Sequence, residues 1–273
     1  MRTERRPWVI NEWYGRTGNN IQQISNAIYF CLTSKPPIDF HMPDHGLIEP
    51  FSNKAKGGIE PRVSSRFFFY KEEPDMSPDF YCDPEHLDSV RKSICENTIY
   101  QGGLLDSYGD VEPLPSSTLV IHLRGGDVFQ NNPPNSYVQN PLSFYKKLIK
   151  NFKSTIVVAE DLENPVANYF KNDPTVDFQS SSEKEDFHTL LRAKNMASSG
   201  VGTFAMAAAL CSPHLENFFC TDLFQDAHLN PTMLEKDYRE KVNVQMTPLL
   251  NYIKMGEWQN TDSQRTLMLE YQC

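Results

Sequence analysis

Positive charge is thin in this 273-residue chain: 26 Lys and Arg stand against 35 Asp and Glu, for a net charge of −9, and no basic block interrupts the balance. A chain of that sign has no footprint for a polyanion, which excludes nucleic acid as a main partner. No stretch reaches the roughly eighteen consecutive apolar residues that a membrane span needs, so no span is expected. The six cysteines (31, 82, 95, 211, 220 and 273) lie far apart and form no C-x-x-C pair. Cys31, Cys211 and Cys220 sit in apolar runs, which predicts buried thiols. There is no N-x-Ser/Thr acceptor, and Met1 to Trp8 is basic without the apolar run of a secretory signal. A cytoplasmic location is the resulting expectation. D-x-D, H-E-x-x-H and G-x-S-x-G are all missing, which argues against D-x-D metal-dependent sugar transfer, zinc proteolysis and α/β-hydrolase chemistry. His41 and His45 are four apart, but Pro43 between them argues against a helix presenting both to a metal.

What is present is enough to build a core: 39% hydrophobic residues, of which the aromatics make up 12% of the chain. The second half alternates short apolar runs with helical patterns. Leu119–Leu123, Thr155–Ala159, Val176–Gln179, Met196–Ser199 and Asn217–Cys220 read as strands. Leu142–Lys150, Asn164–Phe170, Asp186–Asn195 and Thr203–Leu210 read as helices between them. Strands apolar on both faces, alternating with helices, predict a parallel sheet with helices on both sides.

The first half is less regular. Trp8–Ile10, Ile38–His41 and Phe67–Tyr70 read as strands, 43–66 as a long loop, and Pro84–Ile99 as a helix. Ile21, Ile24, Ile28 and Leu32 have helical spacing, with Asn19 or Asn20 suited to cap that helix. Helices are predicted over 232–242 and 247–257. The resulting division is an α/β lobe over 1–113, a Rossmann-like lobe over 114–230, and C-terminal helices over 231–273 packing back on the lobes.

The strongest local signal is His122-Leu-Arg124-Gly-Gly-Asp127 at the end of a buried strand, where open parallel sheets collect ligands. Arg124 is a permanent forked cation suited to a phosphate, and Gly125 and Gly126 would let the backbone approach it. A structural Arg–Asp pair closing a turn explains the same pattern. Ser198-Ser199-Gly-Val-Gly-Thr203-Phe204 then joins a strand to a helix, so hydroxyls and unpaired N–H groups would meet an anion without net basic charge. Plain helix capping is the competing explanation.

Taken in order, His122-x-Arg124-x-x-Asp127, Asp186-Phe-His-x-Leu-Leu-x-x-Ala-x-Asn195 and Ser-Ser-Gly-Val-Gly-Thr-Phe resemble the fucosyltransferase superfamily of α-1,2-, α-1,6- and protein O-fucosyltransferases. Gly15-Arg16-Thr-Gly18-Asn19 is similar to the Gly-Arg-x-Gly-Asn segment of the α-1,2 and protein O members. The resemblance implies a GT-B-like α/β fold of two Rossmann-like lobes facing a cleft. It implies inverting, metal-independent transfer of a sugar from a nucleoside-diphosphate sugar, GDP-fucose by family default, to a glycan acceptor. No cofactor is implied beyond that co-substrate.

Residue by residue, Arg124 would bind the β-phosphate, and Ser199, Thr203 and Phe204 would lie along the pyrophosphate and ribose. Asp186 matches a carboxylate that reads guanine, His122 the motif histidine near the nucleotide, and Asp127 the acid that orders the loop. Arg16 and Asn19 would face the donor sugar and the acceptor, and Glu160 or Asp161 the nucleotide. The chain departs from the family in two places: Asn131-Asn132 stands where α-1,6 members carry a catalytic base, and Gly125 where a second basic residue often stands. Asp75, Asp79 and Glu12 are the candidate bases from the first half. Because uracil also offers an N–H to a carboxylate, a UDP-sugar such as UDP-xylose fits as well. A non-catalytic nucleotide-sugar or glycan-binding module, or an unrelated metabolic α/β enzyme, would share the same motifs. Tyr137, Phe144 and 67–70 could offer stacking faces to a sugar, although such aromatics also serve as core.

Overall fold

Thr118-Leu-Val-Ile-His-Leu123 (β4) is buried at all six positions, because helices cover both of its faces. In the computed structural model, which describes residues 8–10, 12–33, 40–42, 44–49, 62–63, 84–235 and 242–273, this strand is central to a six-stranded sheet. Its companions are β5 (Ser154–Ala159), β6 (Asp177–Gln179), β7 (Asn195–Ala197), β8 (Asn217–Thr221) and β9 (Asn243–Thr247). All the pairings are parallel, in the order β6-β5-β4-β7-β8-β9. The chain winds outward from β4 to one side and then returns to start again at β7. That reversal leaves a crevice beyond the carboxyl ends of β4 and β7. A smaller parallel sheet of β1 (Trp8–Val9), β2 (Phe40–His41) and β3 (Arg62–Val63) has the order β2-β1-β3.

Helices α3 (Leu142–Ile149), α4 (Pro165–Lys171), α5 (Glu183–Leu191) and α6 (Phe204–Cys211) fall where the apolar spacing predicts them. Asn164 caps α4 by accepting from Val166 N–H at 2.9 Å. Helix α5 starts three residues before the predicted Asp186, because Ser182 and Glu185 form a reciprocal capping box. Helix α1 (Thr17–Thr33) likewise starts before Asn19 and Asn20, so neither caps it; a carboxylate from another helix, Glu183, accepts from Thr17 N–H at 3.3 Å. Helix α2 (Pro84–Ser93) runs into a wider coil over Ile94–Leu104, broken at Gly103 (φ 88°).

The C-terminal prediction needs correction. Helix α7 spans Thr232–Glu235, with 236–241 outside the described residues. The predicted helix over 247–257 is absent; Asn243–Thr247 is instead the edge strand β9, and α8 forms later, over Asp262–Glu270, behind a Thr261–Gln264 capping box. Leu249, Tyr252, Ile253 and Trp258 still face the core, so the apolar spacing was real while the backbone between them is extended and turning. The predicted loop over 43–66 contains β3, and the Phe67–Tyr70 strand lies outside the described residues.

The two faces of the large sheet pack differently. One carries α3, α4 and α8 around Tyr145, Phe170 and Trp258. On the other, Phe187, Leu190 and the small-residue helix α6 share one continuous apolar cluster with Ile21, Ile24 and Ile28 of α1 and with Ile94 and Ile99. The described side chains of helix α1 are buried, Asn19 excepted, despite its amides. Gln22 bonds Ala227 O and Leu229 N, Gln23 holds Tyr14 N, and Asn26 accepts from Arg91. Cys31, Cys95, Cys211 and Cys220 are buried. Among the described residues, no helix is long and apolar enough to cross a membrane.

Candidate functional site

The end of β4 delivers Arg124 into a cleft of about 760 Å³ at the crevice between β4 and β7. Along the carboxyl edge of the sheet the wall-forming residues follow strand order: Ser181 and Asp186 after β6, Glu160 after β5, Arg124 after β4, and Gly202 and Thr203 after β7. The opposite wall is the loop before α1, with Tyr14, Gly15 and Arg16, and the first turn of the helix, with Gly18 and Asn19. Gln130, Pro134 and Tyr137 close one side.

Arg124 is held from several directions. Its guanidinium donates to Asp127 at 2.9 Å and lies 4.7 Å over the Tyr137 ring, while Asn164 bonds its carbonyl. Its Nε–H is buried and has no partner among the described residues. A buried donor without an acceptor is costly, and in a cleft that donor marks where an acceptor oxygen is wanted.

His122, beneath it, is buried and 5.4 Å from the Phe204 ring, with Nδ1 unpartnered among the described residues. Burial first, then the charges of Arg124 and Arg16, push its pKa down to about 3, so it stays neutral.

The turn that leads into α6 is clamped from below. Gly200 has φ 101°, and a Cβ there would lie 2.7 Å from Val138 O. Gln139 bridges antiparallel to Gly200, Asn140 Nδ2 and Tyr145 OH both donate to Ser198 O, and Gln139 Nε2 donates to Val201 O. The irregular stretch 130–141 is therefore a brace for the α6 N-terminus. Helix α1 meets that same N-terminus: Thr203 Oγ1 donates to Asn19 Oδ1 at 2.5 Å, and a Cβ on Gly18 would come within 2.7 Å of Phe204 N.

Arg16, Asn19, His122, Arg124, Asp127, Asp186, Thr203 and Phe204 all line the cleft. Ser199 does not; it is buried behind Gly202, because the turn directs its backbone to Asn140. Gly125 is not open to a ligand either. A Cβ there would lie 2.3 Å from Asp161 Oδ1, and Asp161 also accepts from Gly126 N–H at 2.7 Å. The space of a second basic residue is thus filled by a carboxylate that pins the loop, and Asp161 is not on the cleft wall.

Arg16 does not stand free to a sugar: it makes a two-pronged ion pair with Glu160, at 2.5 and 2.8 Å, which holds its pKa above the ordinary arginine value. Phe144 is core, and Tyr137 is engaged under Arg124. Asp75 and Asp79 lie outside the described residues, and Glu12 is exposed and off the wall.

No protein-family model matches the chain, and no curated protein does. Among solved structures, it is similar to a crystal structure of POFUT1 in complex with GDP. The two are 10% identical with a TM-score of 0.38, over 88% of this chain and 96% of that one. The chemistry of the cleft is read from its own residues.

Tyr14, Ser181 and Glu183 on the wall were not singled out from sequence. The Ser182-x-x-Glu185 capping box was the available signal, since it fixes the start of α5 and so puts Glu183 in the first turn. Among the described residues of the cleft, Arg16 is paired with Glu160, Arg124 with Asp127, and the α1 N-terminus with Glu183. Asp186 is buried at the far end, with a pKa raised by that burial and pulled back down by the hydrogen bonds it accepts. An anion entering the cleft would have to displace these carboxylates from the groups they hold.

Proposed function

We propose that the chain is a glycosyltransferase whose donor is a nucleoside-diphosphate sugar, bound along the carboxyl edge of the six-stranded sheet. The observation that carries this is the buried, unpartnered Arg124 Nε–H beside the N-terminus of α6, at the point where the strand order reverses. Three strand spacings separate β6 from β7, about 14 Å, comparable with an extended nucleoside diphosphate. In that frame Asp186 reads the base, Glu160 lies at the ribose, and Arg124 with the α6 terminus takes the diphosphate. Arg124 and the helix end would then stabilise the charge that develops on the leaving diphosphate. We assign the site to metal-independent, inverting transfer on a GT-B-like framework of two lobes. GDP-fucose is the first donor to test, a UDP-sugar the second, and a glycan hydroxyl is the acceptor.

Calorimetric titration of the full chain with GDP and UDP tests the reading. Binding is expected for the wild type, and Arg124→Ala should weaken it at least about tenfold through loss of a charge-assisted contact. Failure of the wild type to bind either nucleotide would overturn the proposal. A second reading, a nucleotide-sugar-binding module without turnover, is favoured by one observation. The stretch after Asp127 brings Gln130, not a carboxylate, to the wall, with exposed Asn132 turned at φ 58°. Turnover of a nucleotide sugar, lost in Arg124→Ala, would eliminate it.

A further inference from the structure

Asp186 is held by more than its helix. Its Oδ1 accepts from Gln179 Nε2 at 2.8 Å and from Ser181 N–H at 3.3 Å, while Oδ2 makes no hydrogen bond among the described residues. Gln179 is itself oriented: Thr189 Oγ1, one turn along α5, donates to Gln179 Oε1 at 3.1 Å. With its oxygen taken by that hydroxyl, the amide turns its NH₂ to Asp186. The opposite orientation would set an amide oxygen against the carboxylate.

We propose that Gln179, oriented by Thr189, is a positioning residue that fixes Asp186 as a group that only accepts, so that the cleft selects nucleobases carrying a ring N–H on the edge it reads. The proposal rests on the nucleotide-binding reading above and adds to it a cause for base selectivity. Guanine presents N1–H beside its amino group, and uracil presents N3–H. Adenine N1 and cytosine N3 are lone pairs on the same edge. If either base placed its amino group on Oδ2, that ring lone pair would face Oδ1, which already bears two donors and cannot turn away. Accept-only geometry therefore admits guanine and uracil and rejects adenine and cytosine.

Glu185, on the same helix, is a charge that bears on the ionisation of Asp186. Glu183 and Glu160, Arg16 from the loop before α1, and Arg124 and the neutral His122 from β4 line the same cleft. Burial raises the Asp186 pKa, and the largest opposing influence is the Gln179 hydrogen bond. Removing that donor moves the carboxyl further toward its neutral form. Since the ionised form is the one that accepts from guanine, affinity should then fall as the pH falls.

The test is calorimetric titration of the full chain with GDP, UDP, ADP and CDP at pH 8, and with GDP from pH 8 down to pH 4.5. The wild type should bind GDP or UDP at least about tenfold more tightly than ADP and CDP, the scale of one hydrogen bond to a charged group. Gln179→Met, close in shape but without donors, should lose most of that ratio, and its GDP affinity should begin to fall at a higher pH than the wild type's. Thr189→Val, which only frees the amide to turn, should move both readouts the same way by less, with its fold intact by melting temperature. A wild-type ratio and an unshifted pH profile in both variants would overturn the positioning role, and equal wild-type affinity for ADP and GDP would overturn the selectivity. If none of the four nucleotides binds, the nucleotide reading itself falls.

Discussion

Replacing Gly18 by Ala probes a close backbone approach between helices α1 and α6 beside the site. A Cβ at this position would sit 2.7 Å from Phe204 N, 2.7 Å from Thr203 C and 2.8 Å from Phe204 Cα. All three are backbone atoms, so no rotamer change relieves the overlap; helix α1 must move relative to α6. With three backbone atoms overlapped, overpacking should cost about 2–3 kcal/mol, and the better helix propensity of Ala returns about 1 kcal/mol. The net loss is about 1–2 kcal/mol, which lowers the melting temperature by roughly 2–8 °C for a chain of this size. Gly46→Ala is the matched control, with nothing within 4 Å of its added methyl and no left-handed backbone to strain. It should leave stability unchanged or raise it by about 0.4–1 kcal/mol. Differential scanning calorimetry measures both. Because the displaced atoms are the α6 N-terminus and Thr203, which bonds Asn19, GDP affinity should also fall in Gly18→Ala and not in Gly46→Ala. A Gly18→Ala protein that melts at or above the wild type would refute the close-contact reasoning.

Glu160→Gln should barely move stability, within about 1 kcal/mol, because its ion pair with Arg16 is 55% and 38% exposed and screened by solvent. The same variant should bind inorganic pyrophosphate more tightly than the wild type, since Arg16 is released and no ribose is present to miss the carboxylate; unchanged affinity in a titration would count against exchange. His122 and His228 are buried, and burial, helped by Arg124, pushes their pKa values down to about 3 and about 4. The unfolded chain takes up these protons near pH 6.5 and the folded chain does not. Stability is therefore full above that pH and falls as the pH drops toward 4, by up to about 1.4 kcal/mol per pH unit for each histidine. Urea unfolding at pH 7 and pH 5 should show the loss, and equal midpoints would contradict it. Ser182→Ala removes the α5 cap and should cost about 1 kcal/mol, read as a lower melting temperature, with Glu183 and Asp186 loosened on their helix.

The strand-and-helix rhythm of 118–221 was legible because a parallel sheet buries both faces of each strand, leaving unbroken apolar runs such as Leu119–Leu123. The strand order was not, since nothing local says that β7 returns to pair with β4. Past residue 242, Leu249, Tyr252 and Ile253 mimic helical spacing while belonging to a turning segment that packs on Trp258 and its neighbours, so periodicity alone misled. At the site, residues of distinctive chemistry are legible in the sequence, but apart from Asp127 beside Arg124 their partners are not. Arg124 and Asp186 stand out in a sequence, but Glu160 across from Arg16, Asp161 under Gly125 and Gln179 beside Asp186 are meetings made only by tertiary structure. Ser199 is a similar case: Gly202, Thr203 and Phe204 reach the cleft wall, while Ser199 is buried beside Gly202 and lies off it.

The apolar cluster that runs without a break from α1 through α6 to the sheet has a mechanical consequence. Swinging the Gly15 loop away as a rigid jaw would drag Ile21, Ile24 and Ile28 into water and tear Gln22 from Ala227 and Leu229. The compliant parts are the side chains at the rim: Arg16 and Glu160 can part by bond rotation alone. The walls behave as a stiff socket with a soft lip, and under the proposed function the rate at which that lip reshuffles would set how fast a nucleotide comes and goes.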